Sequence, residues 1–419
     1  MTPRPPWPFR PRVWRSPLRG PWLTSVLGSV LLIGIPILVV TGLVSYASYN
    51  PRLGHNDTTP ARGVLGFYLF SWITNPSWIY RVSQGTHVIL GLVLTPVLLA
   101  KLWSVIPRLF AWPPIRSIAY ALERASLVLL VGGAVFEFFT GIFNVEYFYP
   151  WKFSFYDAHF FGAWAFLVGF TVHVVLKTPR LMAALRSRSL RAELRTGVAE
   201  TVPEPPEPDG LAPVAPSAPT ISRRGLLGVV GGASFTVLAL TLGESVDGLR
   251  GTALLAPRGR SYGGGPTDFQ VNRTAAAAGI RPDVTGDSWR LVLRGPVVHQ
   301  LSRPELLSLP QHTYRLPIAC VEGWSTEQTW SGVRLADLAR MAGARAPVSV
   351  YVQSLDENGA FGRATLSGYQ VSDSRSLLAL RVNGVDLSPD HGYPARVIVP
   401  AAPGVHNTKW VRQMSFEVD

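Results

Sequence analysis

The segment Arg315–Ser325, RLPIACVEGWS, contains Cys320, the only cysteine in the 419 residues of the chain. The pattern predicts that this thiol ends a strand, just before a glycine-containing turn. A single cysteine excludes an internal disulfide, and it excludes a zinc or iron–sulfur site built from cysteines. A thiolate at such a position can ligate a redox metal. For an isolated cysteine, however, a free buried thiol is the commoner outcome.

The sequence around Cys320 predicts a soluble α+β domain over residues 268–419. Ser302 begins a capping box with Glu305, which predicts a short helix, and Val333–Met341 has helical periodicity. Asn383-Gly384 is a hairpin signal. The predicted strands are Trp289–Leu293, Val348–Gln353, Leu377–Val382, Arg396–Val399 and Trp410–Val418.

Two segments carry a family resemblance: CVEGWS from Cys320, and WSGVRLADL from Trp330. They resemble the molybdenum-binding signature of the sulfite oxidase superfamily, and in particular the periplasmic methionine sulfoxide reductase catalytic subunits. The resemblance implies that the Cys320 sulfur is the sole protein ligand of molybdenum, and that the dithiolene of molybdopterin supplies two further sulfurs. It also implies an enzyme that transfers oxygen atoms.

The same resemblance implies a set of cofactor-binding residues: Asn272, Ser354, His391, Arg396, Asn407, Thr408 and Lys409. Ser354 stands where the family has threonine, and His391 where it has asparagine. The pterin is anionic and ends in phosphate, which favours arginine and lysine partners. Taken alone, each charged residue is more typical of a solvated strand edge. Glu322, Trp324, Tyr369 and His406 are unranked candidates for the substrate pocket.

The chain as a whole is too apolar for a soluble protein. Hydrophobic residues make up 47%, charged residues 16%, and mean hydropathy is +0.21, whereas soluble chains carry about 25% charged residues. Disorder, collagen and coiled coil are excluded for the chain as a whole. Apolar length predicts four membrane spans followed by a short fifth: Trp22–Tyr46, Val88–Ile106, Ala119–Phe143, His159–Leu176 and Leu226–Leu242.

Lysine and arginine residues predict the orientation of these spans. With the N-terminus inside, the segments that precede and connect the five spans carry seventeen of these residues on the inner side and four on the outer side, as the positive-inside rule requires. We therefore expect a cytoplasmic N-terminus and an extracytoplasmic C-terminal domain in a bacterial plasma membrane. The net charge of +13 is concentrated beside apolar runs, which argues against nucleic-acid binding.

Three histidines lie in or beside the spans. His87 opens span 2, and His159 and His173 lie on span 4, about 21 Å apart along one helical face. This pattern resembles the four-helix b-type cytochrome subunits of formate dehydrogenases and hydrogenases. The resemblance implies an outer haem b on His87 and His159, and an inner haem with His173 as one ligand. Span 1 contains no histidine, so the inner haem lacks its usual second ligand. A plain anchor with hydrogen-bonded histidines is the alternative.

Ser222-Arg-Arg-Gly-Leu-Leu227, ahead of the fifth span, resembles a twin-arginine export signal, with Leu226 at the usual Phe position. It implies contact with the export machinery, which carries folded, cofactor-loaded domains. An ordinary basic flank is the alternative, and whether the span is cleaved is left open.

The sequence thus predicts a membrane all-α four-helix bundle plus one anchor helix, followed by a sulfite-oxidase-like molybdopterin domain. Its parts are a basic N-terminus (1–21), a membrane domain (22–180), a Pro/Ala-rich linker (181–221), a signal and fifth span (222–245), an outer linker (246–267) and the molybdopterin domain (268–419). The expected electron flow runs from quinol through haem to molybdenum and a sulfoxide-like substrate, with the sulfite-oxidase-like direction left open. A non-catalytic binding domain on an anchor is the rival function.

Overall fold

A computed structural model of the chain describes residues 13–56, 68–110, 117–206, 211–258, 263–357, 359 and 362–418. Its helices are α1 Pro21–Ser48, α2 Ile79–Leu109, α3 Ile118–Val145, α4 Phe155–Ser187, α5 Leu190–Glu193, α6 Arg223–Thr241, α7 Pro282–Thr285, α8 Arg303–Ser308, α9 Leu335–Met341 and α10 Gly368–Ser372. Its strands are β1 Leu291–Arg294, β2 His299–Leu301, β3 His312–Ala319, β4 Ser325–Arg334, β5 Ser349–Ser354, β6 Arg363–Ser367, β7 Leu377–Val382, β8 Val385–Asp386, β9 Arg396–Ile398 and β10 Val411–Glu417.

Five helices are long and apolar enough to cross a membrane: α1, α2, α3, α4 and α6. Each of them contains most or all of one predicted span. The helices α2 and α4 are longer than their predicted spans, because polar residues continue the helix past its apolar window. The N-terminal half is therefore helical and compatible with a membrane protein.

The described residues divide into two compact units. The first comprises those within Met1–Val39, Leu90–Phe143 and Ala158–Leu238, and the second comprises those within Val40–Ile89, Asn144–Asp157 and Ala239–Asp419. The C-terminal end of α1 and the N-terminal end of α2, which are consecutive in the sequence, thus belong to the same unit as the C-terminal sheets.

The first unit has an apolar core of leucine, isoleucine and aromatic side chains that includes Trp22, Leu94 and Phe166. Part of the predicted linker packs here, since the Glu204 carboxylate accepts a hydrogen bond of 3.0 Å from the Trp22 main-chain N–H. Arg223 is 1% exposed and donates to the carbonyls of Pro17 and Val202 at 3.2 and 3.1 Å. One arginine of the predicted export signal is therefore part of a folded cluster.

The second unit contains two sheets, with strand orders β2-β1-β10-β5-β6 and β3-β4-β7-β8, and β9 pairs with β7. The described pairs are antiparallel except β1 with β10. The Ser302 cap is confirmed, as both hydrogen bonds of a capping box are present. Asn383 and Gly384 both have positive φ, 50° and 84°, in the predicted hairpin turn. The five predicted strands are present with small shifts at their ends.

One predicted helix begins later than its periodicity indicates. Val333 pairs with Leu378 across the sheet, so β4 runs on to Arg334 and α9 starts only at Leu335. At residues 333 and 334 the apolar pattern fits either the end of a strand or the start of a helix. Pairing with β7 makes these two residues part of β4.

Candidate functional site

Cys320 stands directly after β3, at the start of a tight loop that we call the Cys320 loop (residues 320–324). The Cys320 N–H donates to the Trp324 carbonyl at 2.9 Å, and Gly323 N–H donates to the Cys320 carbonyl at 3.1 Å. Gly323 has φ +99°, a conformation that glycine adopts without the strain a Cβ would bring. The predicted strand end and turn are confirmed, and together they fix the direction of the thiol.

The Cys320 thiol is 2% exposed, and burial raises its pKa to about 11. Its Sγ donates to Glu322 Oε1 at 3.1 Å. The other carboxylate oxygen, Oε2, accepts from Trp324 Nε1 at 2.8 Å and from Arg258 Nε at 2.9 Å. A metal that binds this sulfur must displace the thiol proton, and Glu322 is the group that contacts it.

Two buried cations, Arg396 on β9 and Lys409, lie in the segments predicted to hold the cofactor. They are 3% and 2% exposed. Arg396 Nη1 donates to the His391 carbonyl at 3.3 Å and Lys409 Nζ to the Asp390 carbonyl at 3.0 Å. Burial lowers the pKa of Arg396 to about 9, and that of Lys409 well below its usual value. Because buried cations without an anionic partner are costly, this arrangement is suited to an anionic ligand.

Several polar side-chain atoms beside these cations are buried without a hydrogen-bond partner among the described residues: Arg396 Nε, Asn407 Nδ2 and Thr408 Oγ1. Their own segments are held in place by other bonds. Val399 N–H donates to Asn407 Oδ1 at 2.8 Å, and Val397 N–H donates to the Thr408 carbonyl at 2.9 Å. Since buried polar groups are normally paired, the remaining atoms are available to a ligand.

Ser354 does not offer its hydroxyl to a ligand. Its Oγ donates to the Lys409 carbonyl at 2.7 Å and accepts from Asp356 N–H at 3.0 Å. Ser354 therefore positions the main chain of Lys409.

His391 and Asn272 are likewise engaged in local contacts. The His391 ring stacks on Phe269 at 3.7 Å between centroids, and Nε2 donates to the Thr267 carbonyl at 2.9 Å. Burial lowers the pKa of His391 to about 3, so the ring is neutral. Asn272 Oδ1 accepts from Arg273 N–H at 2.8 Å, and Lys409 Nζ also donates to the Arg273 carbonyl.

Of the four pocket candidates, Glu322 and Trp324 lie in the Cys320 loop. His406 is brought beside it, because Gly404 N–H donates to the Ala319 carbonyl at 2.8 Å. Tyr369, on α10, is 42% exposed and borders a separate cavity of about 90 Å³ lined also by Tyr46 and Tyr68.

The first turns of α2 contact the Cys320 loop, a relation that the sequence did not reveal. Gln84 Nε2 donates to the Val321 carbonyl at 2.7 Å. A Cβ placed on Gly323 would lie 2.7 Å from Val88 Cγ1. His87 lies between Gln84 and Val88 on this helix. Gln84 and Val88 are four residues apart, which places them on one face of α2. Nothing in the sequence indicated that this face contacts the Cys320 loop.

The predicted haem histidines share a local feature. His87 Nδ1 lies 3.2 Å from Thr41 Oγ1, and His159 Nδ1 lies 3.1 Å from Thr140 Oγ1 and 3.1 Å from Glu137 Oε2. In both cases the hydroxyl comes from the preceding long helix. A partner at one ring nitrogen is typical of histidines that ligate a metal through the other.

Comparison with known proteins agrees with this site. The family model "Oxidoreductase molybdopterin binding domain" matches residues 278–419. Residues 278–419 are a molybdopterin-binding oxidoreductase domain of the sulfite oxidase family. The match includes Cys320, both buried cations and the polar atoms that lack partners, so the predicted family of this domain is confirmed.

The matches with individual relatives cover only part of each relative's length. The chain is 34% identical over 131 residues to the uncharacterized oxidoreductase YuiH of Bacillus subtilis (strain 168), covering 30% of this chain and 65% of that protein. It is 30% identical over 165 residues to mitochondrial sulfite oxidase of Rattus norvegicus, covering 32% and 30%. Among solved structures, the sulfane dehydrogenase SoxCD from Paracoccus pantotrophus shares 26% identity over 31% of this chain and 38% of that chain, with a TM-score of 0.29. The chain thus spans less than two thirds of each.

The residues present fit molybdopterin. The cofactor is anionic, and the domain offers two buried cations whose hydrogen bonds, within the described chain, go to main-chain carbonyls. It also offers polar atoms on Arg396, Asn407 and Thr408 that have no hydrogen-bond partner within the part of the chain that the structure describes. Arg396, Asn407, Thr408 and Lys409 would hold the pterin and its phosphate, and the Cys320 sulfur would ligate molybdenum.

Proposed function

We propose that this chain is a membrane-anchored molybdopterin oxidoreductase that transfers oxygen atoms and exchanges electrons with the membrane through a b-type haem. The observation that carries the proposal is the contact of α2 with the Cys320 loop, through Gln84 with Val321 and Val88 with Gly323. A haem on His87 would be connected to Cys320 by a short path, which runs along α2 to Gln84 and through its hydrogen bond to the carbonyl of Val321, the residue after Cys320.

Each part of the molybdopterin domain has a distinct task in this proposal. The molybdenum supplies two-electron redox chemistry. Cys320 holds the metal, and Glu322 accepts the proton that the thiol gives up. Arg396 and Lys409 neutralise the anionic pterin, while Ser354 keeps the Lys409 main chain in place. The low exposure of these groups excludes water and strengthens their interactions.

The haem ligands in this proposal are His87 and His159, with His173 as one ligand of a second haem. Support comes from the Thr41 and Thr140 hydroxyls at the Nδ1 atoms of the first two histidines. The haem held by His87 and His159 would supply electron transfer from a quinol, and the molybdenum held by Cys320 would supply the redox chemistry for reduction of a sulfoxide-like substrate.

The proposal places the N-terminus in the cytoplasm and the molybdopterin domain on the outer face of a bacterial plasma membrane. Its support is the distribution of lysine and arginine around the five apolar helices. The twin-arginine export machinery would carry the folded domain across.

Replacement of His87 or His159 by alanine is expected to remove the b-type absorption of the haem that these two residues would hold, so the bands should fall well below their wild-type strength. Both substitutions remove an axial ligand that nothing else replaces. The measurement is a reduced-minus-oxidised spectrum of the full chain, with His299→Ala as control, because the His299 ring contacts the Met341 carbonyl in the soluble part. Haem bands of wild-type strength in both variants would contradict the haem assignment.

Arg224→Lys is expected to leave most of the molybdopterin domain on the cytoplasmic side. Arg224 is exposed, so its replacement spares the buried contacts of Arg223. Protease accessibility in spheroplasts measures the outcome, with Arg195→Lys as the matched control. Full protease accessibility of the Arg224→Lys domain would contradict export by this signal.

A further inference from the structure

Three tyrosines at helix ends form one buried cluster. Tyr49 follows α1, Tyr80 lies in the first turn of α2, and Tyr156 lies in the first turn of α4. The Tyr49 ring centroid lies 6.5 Å from that of Tyr80 and 5.8 Å from that of Tyr156. Tyr49 and Tyr80 are each 1% exposed. The helical half of the chain therefore contributes three phenols to one interior site.

This tyrosine cluster (Tyr49, Tyr80 and Tyr156) adjoins the molybdenum ligand. It packs with Ala319, which precedes Cys320, and with Val405. The ring of His406 lies 5.7 Å from that of Tyr49 between centroids. The tyrosine cluster and His406 therefore lie together beside the Cys320 loop.

The cluster has hydrogen-bonding capacity that the described residues do not use. Both ring nitrogens of His406 are buried without a hydrogen-bond partner among those residues. The hydroxyls of Tyr49 and Tyr80 interact with each other and with the Tyr156 and Ser45 hydroxyls, but without good hydrogen-bond geometry. Such atoms reduce stability unless something pairs with them. A bound molecule with polar atoms at this position would satisfy them.

All these groups are uncharged at neutral pH. Burial lowers the pKa of His406 to about 4 and raises that of Tyr49 well above 10. The nearby cations have other tasks, since Arg258 pairs with Glu322 at 2.9 Å and Arg396 and Lys409 lie in the pterin segments. Among the residues that the structure describes, an anion buried here would have no cationic partner of its own, which is unfavourable.

We propose that Tyr49, Tyr80, Tyr156 and His406 form the substrate-binding wall of the molybdenum site and select an uncharged molecule with a polar oxygen. This inference rests on the proposed function. Phenol hydroxyls donate to the substrate oxygen, and the ring faces hold its apolar substituents. The substrate site is thus completed by residues outside the molybdopterin domain.

Dimethyl sulfone and sulfate test this selection, because they have similar tetrahedral shapes and differ in charge. Binding of each to the full-length, molybdenum-loaded protein is measured by isothermal titration calorimetry. We expect wild type to bind the sulfone and not sulfate. Tyr49→Phe and Tyr80→Phe should each weaken sulfone binding about 3- to 10-fold, as the loss of one hydrogen bond predicts.

Tyr351→Phe is the matched control, because Tyr351 lies on β5 and its ring contacts His55 rather than the tyrosine cluster. The affinity of this variant should equal that of wild type. Molybdenum content is measured in the same samples. Preference for sulfate, no sulfone binding by wild type, or unchanged affinity in both tyrosine variants would overturn the substrate wall. Protein without molybdenum would instead overturn the proposed function on which it rests.

Discussion

Cys320→Ser is expected to lower turnover by more than about 100-fold. Changes that only reorient a metal ligand already cost 10- to 100-fold, and this one removes the sole sulfur that the protein donates. Arg396, Asn407, Thr408 and Lys409 would still bind the pterin. We therefore expect cofactor to be retained in part while activity is lost, as measured with a reduced electron donor and an oxygen-atom acceptor.

The haem bands of the same preparation provide the control. His87 and His159 are remote in sequence from the substitution, so the b-type spectrum of Cys320→Ser should match that of wild type. A loss of both signals would indicate misfolding, and Cys320→Ala then serves as the second variant. Turnover within about threefold of wild type in either variant would contradict ligation of the metal by this sulfur.

Lys409→Met is expected to raise the folding stability of the cofactor-free protein and to lower its affinity for molybdopterin. Without cofactor, the ammonium group is buried and its pKa lies well below the usual value. A neutral methionine of similar length removes this buried charge, so the cofactor-free variant should unfold at a higher temperature than cofactor-free wild type. With cofactor, the variant loses a charge-assisted contact, which contributes about 1.5–3 kcal/mol. Molybdopterin affinity should therefore fall about 10- to 150-fold.

Thermal unfolding of the two forms measures both effects. Loading with molybdopterin should raise the melting temperature of wild type by more than that of Lys409→Met. Arg381→Gln is the control, because this half-exposed arginine lies on β7 with its side chain paired to Asp386. An equal shift on loading in wild type and Lys409→Met would contradict a role for this lysine in holding the anion.

Local sequence features predicted much of the structure. The alternation of apolar residues located five strands, the Ser302-to-Glu305 spacing gave a helix start, and Asn383-Gly384 gave the hairpin. Each depends on residues close together in the chain. The start of α9 was wrong, because pairing of Val333 with Leu378 extends β4, and that partner is distant in sequence.

The site was predictable only in part. Cys320, Arg396 and Lys409 could be located from motifs, but their burial depends on packing between segments far apart. His391 and Ser354 were predicted as cofactor contacts, yet their side chains bond to the Thr267 and Lys409 carbonyls. How these positions act on a bound pterin remains a prediction.

The tyrosine cluster could not be predicted at all. Aromatic residues at the ends of apolar helices are expected simply from membrane interfaces, so Tyr49 and Tyr80 carried no distinguishing signal. Their position beside Ala319 arises only from the fold. The same holds for Gln84, whose bond to Val321 joins α2 to the Cys320 loop.

X-ray absorption at the molybdenum edge tests the central claim most directly, on purified full-length protein from a host that makes the pterin. We predict molybdenum with a sulfur shell containing the Cys320 thiolate as well as the dithiolene, and a shell with one sulfur fewer in Cys320→Ser. Wild-type protein without molybdenum, or a sulfur shell that the substitution leaves unchanged, would contradict the account.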